Sequence, residues 1–110
     1  MQQAIVVLTN LPDAAVARAM ARELIELRLA ACVNILPAVQ SVYRWQGAVE
    51  EATEVSLLVK TVRGRYAALE AAIKAAHPYE VPEIIALDIA EGWAGYLDWI
   101  VEETKKDVDV

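Results

Sequence analysis

Residues 32–61 read CVNILPAVQSVYRWQGAVEEATEVSLLVKT, and the alternation of apolar and polar residues along this stretch decides the fold. Cys32 to Leu36 is extended and apolar, Pro37 interrupts it, and strand character resumes from Val39 to Trp45. Gln46-Gly47 supplies a tight turn. Beyond it, from Val49, the chain places Val55, Leu57, Val59 and Thr61 on one face and Ser56, Leu58 and Lys60 on the other. A long β-hairpin follows. Pro37 has no N–H to give to a ladder, so it belongs at an edge or bulge. This reading predicts that the first strand changes partners near its middle, one half pairing within the subunit and the other with a neighbour.

Upstream, Ala4 to Leu8 forms a β-branched apolar run that stops at Thr9-Asn10, the signature of a short buried strand. Pro12 and the first-turn carboxylate Asp13 then open a helix that runs to Arg28, with Val16, Met20, Leu24 and Leu27 at helical spacing. Downstream, Gly64 ends the hairpin, and Tyr66, Leu69 and Ile73 mark a second helix that must stop before Pro78. Pro82 holds the next strand to Glu83–Ile89. Gly92 precedes an amphipathic third helix carrying Trp93, Tyr96, Leu97, Ile100 and Val101. The tail from Lys105 to Val110 reads as frayed.

The order β-α-β-β-α-β plus a helix predicts one α+β domain over residues 1–110, a ferredoxin-like sandwich with an extra C-terminal helix. In that architecture both main helices cover one face of the sheet. The first and third strands are apolar on both faces, and the last helix covers only part of the open one. A neighbouring subunit is the economical cover. Composition agrees: 57% of residues are hydrophobic and mean hydropathy is +0.33, against the roughly 45–50% usual for soluble domains.

No apolar run approaches the roughly 20 residues of a membrane span. Met1-Gln2-Gln3 lacks the positive start of a secretory signal, which predicts a cytoplasmic protein. Cys32 is the one cysteine, so an internal disulfide or a zinc site with several thiolates from one chain is excluded. A net charge of −6 with scattered basic residues disfavours nucleic acid and anionic membranes as partners.

Four segments, RLAACVNI (28–35), SVYRWQG (41–47), HPYEVPEII (77–85) and YLDWI (96–100), together resemble the CutA, or divalent-cation tolerance, family. The resemblance spans nearly the whole chain. It implies a tight homotrimer similar in fold to the P-II type signalling proteins, tolerance to divalent metals with copper foremost, and no firmly attached reaction. Family members proposed to ligate copper carry a cysteine at the end of the first strand and paired histidines before the PY dipeptide. Here Thr9 and Ala76 stand at two of those positions, which leaves His77.

His77 is the one imidazole and the candidate ligand for copper(II) or another divalent ion. The other reading sets it at the end of the second helix, where a donor complements the last carbonyls. Glu80 and Glu83 lie near it as oxygen donors. Cys32, Trp45, Lys60, Tyr79 and Glu83 make a candidate ligand-binding cleft. Within it, Lys60 is either an anchor for an anion or for a carboxylate such as Glu83, or a lysine whose stem lies on apolar surface. Cys32 is either a soft-metal thiolate or a small buried hydrophobe. Tyr43, Trp45 and Tyr79 suit a subunit interface as well as a pocket. Glu50, Glu51 and Glu54 read as solvated charges on a protruding edge, or as a patch that attracts cations.

No nucleophile elbow, phosphate loop, dinucleotide fingerprint or His-Glu-x-x-His pattern occurs, so no recognised enzyme class is supported. Two functions stand. One is a non-enzymatic trimer that binds divalent metal ions. The other is a trimeric signalling or anchoring module that takes a small anion or a partner protein in an intersubunit cleft.

Overall fold

The computed structural model describes residues 2–106. The elements are β1 (Ala4–Leu11), α1 (Ala14–Glu26), β2 (Cys32–Trp45), β3 (Ala48–Val62), α2 (Tyr66–Ala76), β4 (Ile85–Asp88) and α3 (Ala94–Glu103), with a single 3-10 turn at Arg63–Arg65 before α2. The strands form one sheet in the order β2-β3-β1-β4, and every neighbouring pair is antiparallel. The architecture is α+β: a four-stranded antiparallel sheet with three helices.

Pairing registers assign the faces. Ile5 lies opposite Thr61, Val7 opposite Val59, Thr9 opposite Leu57 and Leu11 opposite Val55. These side chains are buried, and most join one core with Ala17, Met20 and Leu24 of α1 and Leu69 and Ile73 of α2. Each fully buried aliphatic side chain contributes about 1.5–3 kcal/mol, and this two-helix layer holds most of them. The opposite face carries Val6, Leu8, Leu58, Ile85 and Leu87. α3 crosses only one end of it, where Ile100 is buried against Ala4 and Val62. Ile85 and Leu87 remain 47% and 54% exposed. The open apolar face expected from the two-sided strands is therefore present in the subunit, with the third helix as a partial cover.

β1 continues to Leu11 rather than stopping at Thr9-Asn10, because both residues keep their partners on β3. Polar side chains there did not end the strand; the ladder overrode them. α1 begins at Ala14, and Asp13 is its cap rather than a first-turn residue: its carboxylate accepts the Val16 N–H at 2.9 Å. The helix ends earlier than Arg28, in a Schellman arrangement. Arg28 is left-handed at φ 59°, and the N–H groups of Arg28 and Leu29 return to the carbonyls of Ile25 and Leu24. β4 spans four residues instead of Glu83–Ile89. Of the tail read as frayed, residues 107–110 lie outside those described.

The hairpin turn has Gln46 at φ 50° and Gly47 at φ 83°, the signs a type I′ turn needs at both central residues. Pro37 sits at a bulge, as its missing N–H requires: the register shifts between Leu36 and Val39, with Ala38 left-handed at φ 62°. The partner change expected there does not occur. Both halves of β2 pair with β3, and the extra residue displaces the register instead. The arm stretches the subunit to 50 × 31 × 22 Å, with a radius of gyration of 14.8 Å against about 13 Å for a compact chain of this length.

Candidate functional site

Pro78 bars helical geometry from His77, so α2 stops at Ala76 and His77 is extended at ψ 134°. The ring turns back against β1, 9% exposed. Its Nδ1 accepts the Tyr79 backbone N–H at 3.2 Å, which leaves the proton on Nε2, and Nε2 donates to the Asn10 carbonyl at 2.8 Å. His77 thus bonds a strand carbonyl, not the last carbonyls of its own helix, and both ring nitrogens are engaged.

This pin aims Tyr79. The two rings lie 4.8 Å apart at 51°, and the Tyr79 hydroxyl donates to Glu54 Oε2 at 2.8 Å. Burial of the phenol, the hydrogen bond to Glu54 and the Glu54 charge push Tyr79 well above the usual tyrosine pKa. Glu54, expected on a solvated edge, is only 8% exposed. It sits where the arm leaves the body of the sheet, and the 79–83 loop folds over it.

Asn10 ties the same loop to the sheet. Its amide donates to Glu83 Oε1 at 2.9 Å and accepts from the Ser56 hydroxyl. Between the loop and the distal half of β2 lies a groove of about 790 Å³, lined by Tyr43, Trp45, Glu54, Tyr79, Glu80 and Glu83 among others. Sequence reasoning missed Asn10. Its one local signal, a polar side chain beside an unbroken apolar run, reads equally as a strand end.

The groove gathers Trp45, Tyr79 and Glu83 from the predicted cleft. Cys32 and Lys60 lie elsewhere, opposite each other across β2 and β3. Lys60 is four residues along β3 from Ser56, about 13 Å at strand rise, and its ammonium donates to Asn34 rather than to Glu83. Cys32 meets Tyr96 of α3, whose pKa is raised by burial and by its contact with the thiol. One subunit therefore divides the five residues into two groups.

Thr9 faces the helix layer and is fully buried. Ala76 closes α2 on its exposed side. Among the described residues no group of three or more His, Cys, Asp or Glu side chains is placed to hold a metal ion, and no helix is long and apolar enough to cross a membrane.

The chain is 56% identical over 99 residues to the divalent-cation tolerance protein CutA of Thermus thermophilus, covering 90% of this chain and 96% of that one. It is 43% identical over 94 residues to the protein CutA of Mus musculus, of which it spans 53%. The solved structure of the periplasmic divalent cation tolerance protein CutA from Archaeoglobus fulgidus superposes with a TM-score of 0.90 at 37% identity, over 93% of this chain and 99% of that one. The family model described as CutA1 divalent ion tolerance protein matches residues 5–103, so this chain belongs to the CutA1 divalent ion tolerance family.

Proposed function

We propose that the chain works as a homotrimer of ferredoxin-like subunits that binds divalent ions, copper(II) among them, in response to metal stress, without catalysing a reaction. The observation that carries this reading is the uncovered sheet face. Val6, Leu8, Leu58, Ile85 and Leu87 form a contiguous apolar surface beside a long protruding arm, and a second copy of the chain is the cover that removes both from water. The relatives' association with divalent-cation tolerance points to the metal.

With one imidazole and one thiol per chain, a closed site needs donors from more than one subunit. His77 supplies the imidazole at Nδ1, the nitrogen with a lone pair, by exchanging the Tyr79 N–H for the ion, while Nε2–H keeps its bond to the Asn10 carbonyl. Cys32, Trp45, Lys60, Tyr79 and Glu83 form the cleft only when the groove of one subunit meets the Cys32–Lys60 end of another. The alternative, an anion or partner-protein module centred on Lys60 and Trp45, has less support, since Lys60 already bonds Asn34. The free thiol of Cys32 favours the cytoplasm.

Sedimentation equilibrium of the metal-free protein, repeated with copper(II), tests the assembly: a trimer in both runs is expected, and a metal-free monomer would sink it. Copper titration of His77→Ala tests the ligand. A loss of affinity is expected, and undiminished affinity removes His77 from the site.

A further inference from the structure

We propose that the groove between the β2–β3 arm and the 79–83 loop binds a small organic cation of the alkylammonium class, with Glu54 as counter-charge and the rings of Trp45, Tyr43 and Tyr79 as walls. The proposal rests on reading this groove as the ligand cleft, and adds the chemistry of what enters it.

Glu54 is the first ground. It is 8% exposed and lines the groove, yet among the described residues its carboxylate is bonded only by the neutral Tyr79 hydroxyl. Among the described residues it has no ion pair. A carboxylate withdrawn from water this far is stabilised by a cation, and the cavity beside it is open to one.

The walls are the second ground. Tyr43, Trp45 and Tyr79 all border the cavity, and aromatic faces attract diffuse positive charge, alkylated ammonium above all. A volume of about 790 Å³ lies within the usual range for small-molecule sites, roughly 300–1,000 Å³.

Net charge is the third. Within one subunit Glu54, Glu80 and Glu83 border the groove against Arg44, and the Lys60 that a neighbouring copy would bring to the cleft still leaves the carboxylates in excess, so an anion meets net repulsion. A bare metal ion needs several donors converging on one point, and these carboxylates do not supply them. An organic cation has no coordination sphere to complete; it needs one counter-charge and aromatic contact, which the groove provides.

The test is a titration of the assembled, metal-free protein with tetramethylammonium chloride, and in parallel with sodium phosphate at matched ionic strength. Indole fluorescence is read out, with Trp45→Phe separating Trp45 from Trp93 and Trp99. A saturable change at Trp45 with tetramethylammonium alone is expected. Glu54→Gln, which keeps the shape and can still accept the Tyr79 hydroxyl, should weaken it about tenfold, and Trp45→Leu by a similar factor. Saturation by phosphate and not by tetramethylammonium overturns the cation but leaves the groove as a ligand site. No response to either overturns both. Unchanged tetramethylammonium affinity in Glu54→Gln overturns the role of Glu54. Dissociation of that variant into monomers also overturns the proposal, since the counter-cation of Glu54 would then belong to a neighbouring copy.

Discussion

The Tyr79 hydroxyl closes on Glu54 Oε2 at 2.8 Å, although the two residues are 25 positions apart in the chain. One comes from the loop after α2 and the other from the root of the arm. Their bond joins the two walls of the groove, and His77 sets its direction by holding the Tyr79 backbone. A histidine that looks like a metal ligand in the sequence acts in the folded subunit as the pin of this loop.

Removing the hydroxyl tests the join. Tyr79→Phe keeps the ring and leaves Glu54 without its hydrogen-bond donor, which should cost about 1.5–3 kcal/mol, the range for a bond to a charged group. Urea unfolding at fixed protein concentration measures it. The pH dependence has a definite sign. The native phenol holds its proton above the usual value of 10, so its contribution is fully present below pH 10. Above that, the unfolded chain releases the proton first, and stability falls as pH rises. Tyr79→Phe should flatten this alkaline loss; an unchanged slope would mean that Tyr66 and Tyr96, also raised, account for all of it.

Thr9 and Thr61 present the opposite case. Both face the helix layer fully buried, and neither hydroxyl has a hydrogen-bond partner among the described residues. A buried hydroxyl without a partner carries its desolvation cost uncompensated. Thr9→Val preserves the branched shape and removes that cost, so a gain of about 1 kcal/mol is expected as a higher urea midpoint with an unchanged slope. A loss would show that the hydroxyl is satisfied in the assembled protein.

Gly47→Ala isolates the turn. A Cβ at this position meets nothing within 4 Å, so the cost is that of holding a non-glycine residue at φ 83°, about 1 kcal/mol. Thermal unfolding of the variant gives the number. A loss several times larger would place the arm tip inside an interface, where the added methyl collides with a neighbouring copy.

The hairpin, the two-sided apolar strands and the bulge at Pro37 were legible because each follows from a local rule: period-two alternation, turn chemistry, a missing N–H. The split of the predicted cleft depended on register. Counting back from the Gln46-Gly47 turn sets Cys32 opposite Thr61, and only the extra residue at the Pro37–Ala38 bulge moves it opposite Lys60, which puts both on the open face. Asn10 and His77 were illegible for another reason. Their long-range partners, Glu83, Ser56 and the Asn10 carbonyl, are between 46 and 73 residues away, and nothing local to either residue names them.

Leu87→Glu bears on assembly with the least disturbance to the subunit. Leu87 is 54% exposed on the edge strand β4, opposite Val6, and takes no part in the helix-layer core. A carboxylate there costs the isolated subunit within about 0.5 kcal/mol, as for surface substitutions generally. In a trimer that buries this face, one charge per subunit enters an apolar interface unpaired, a cost of several kcal/mol repeated at each contact. Sedimentation equilibrium should therefore show Leu87→Glu shifted to monomer while its circular dichroism keeps the native α+β signature. A variant that sediments as the parent protein does would mean that Leu87 stays in water in the assembly, and that the copies meet through the arm instead.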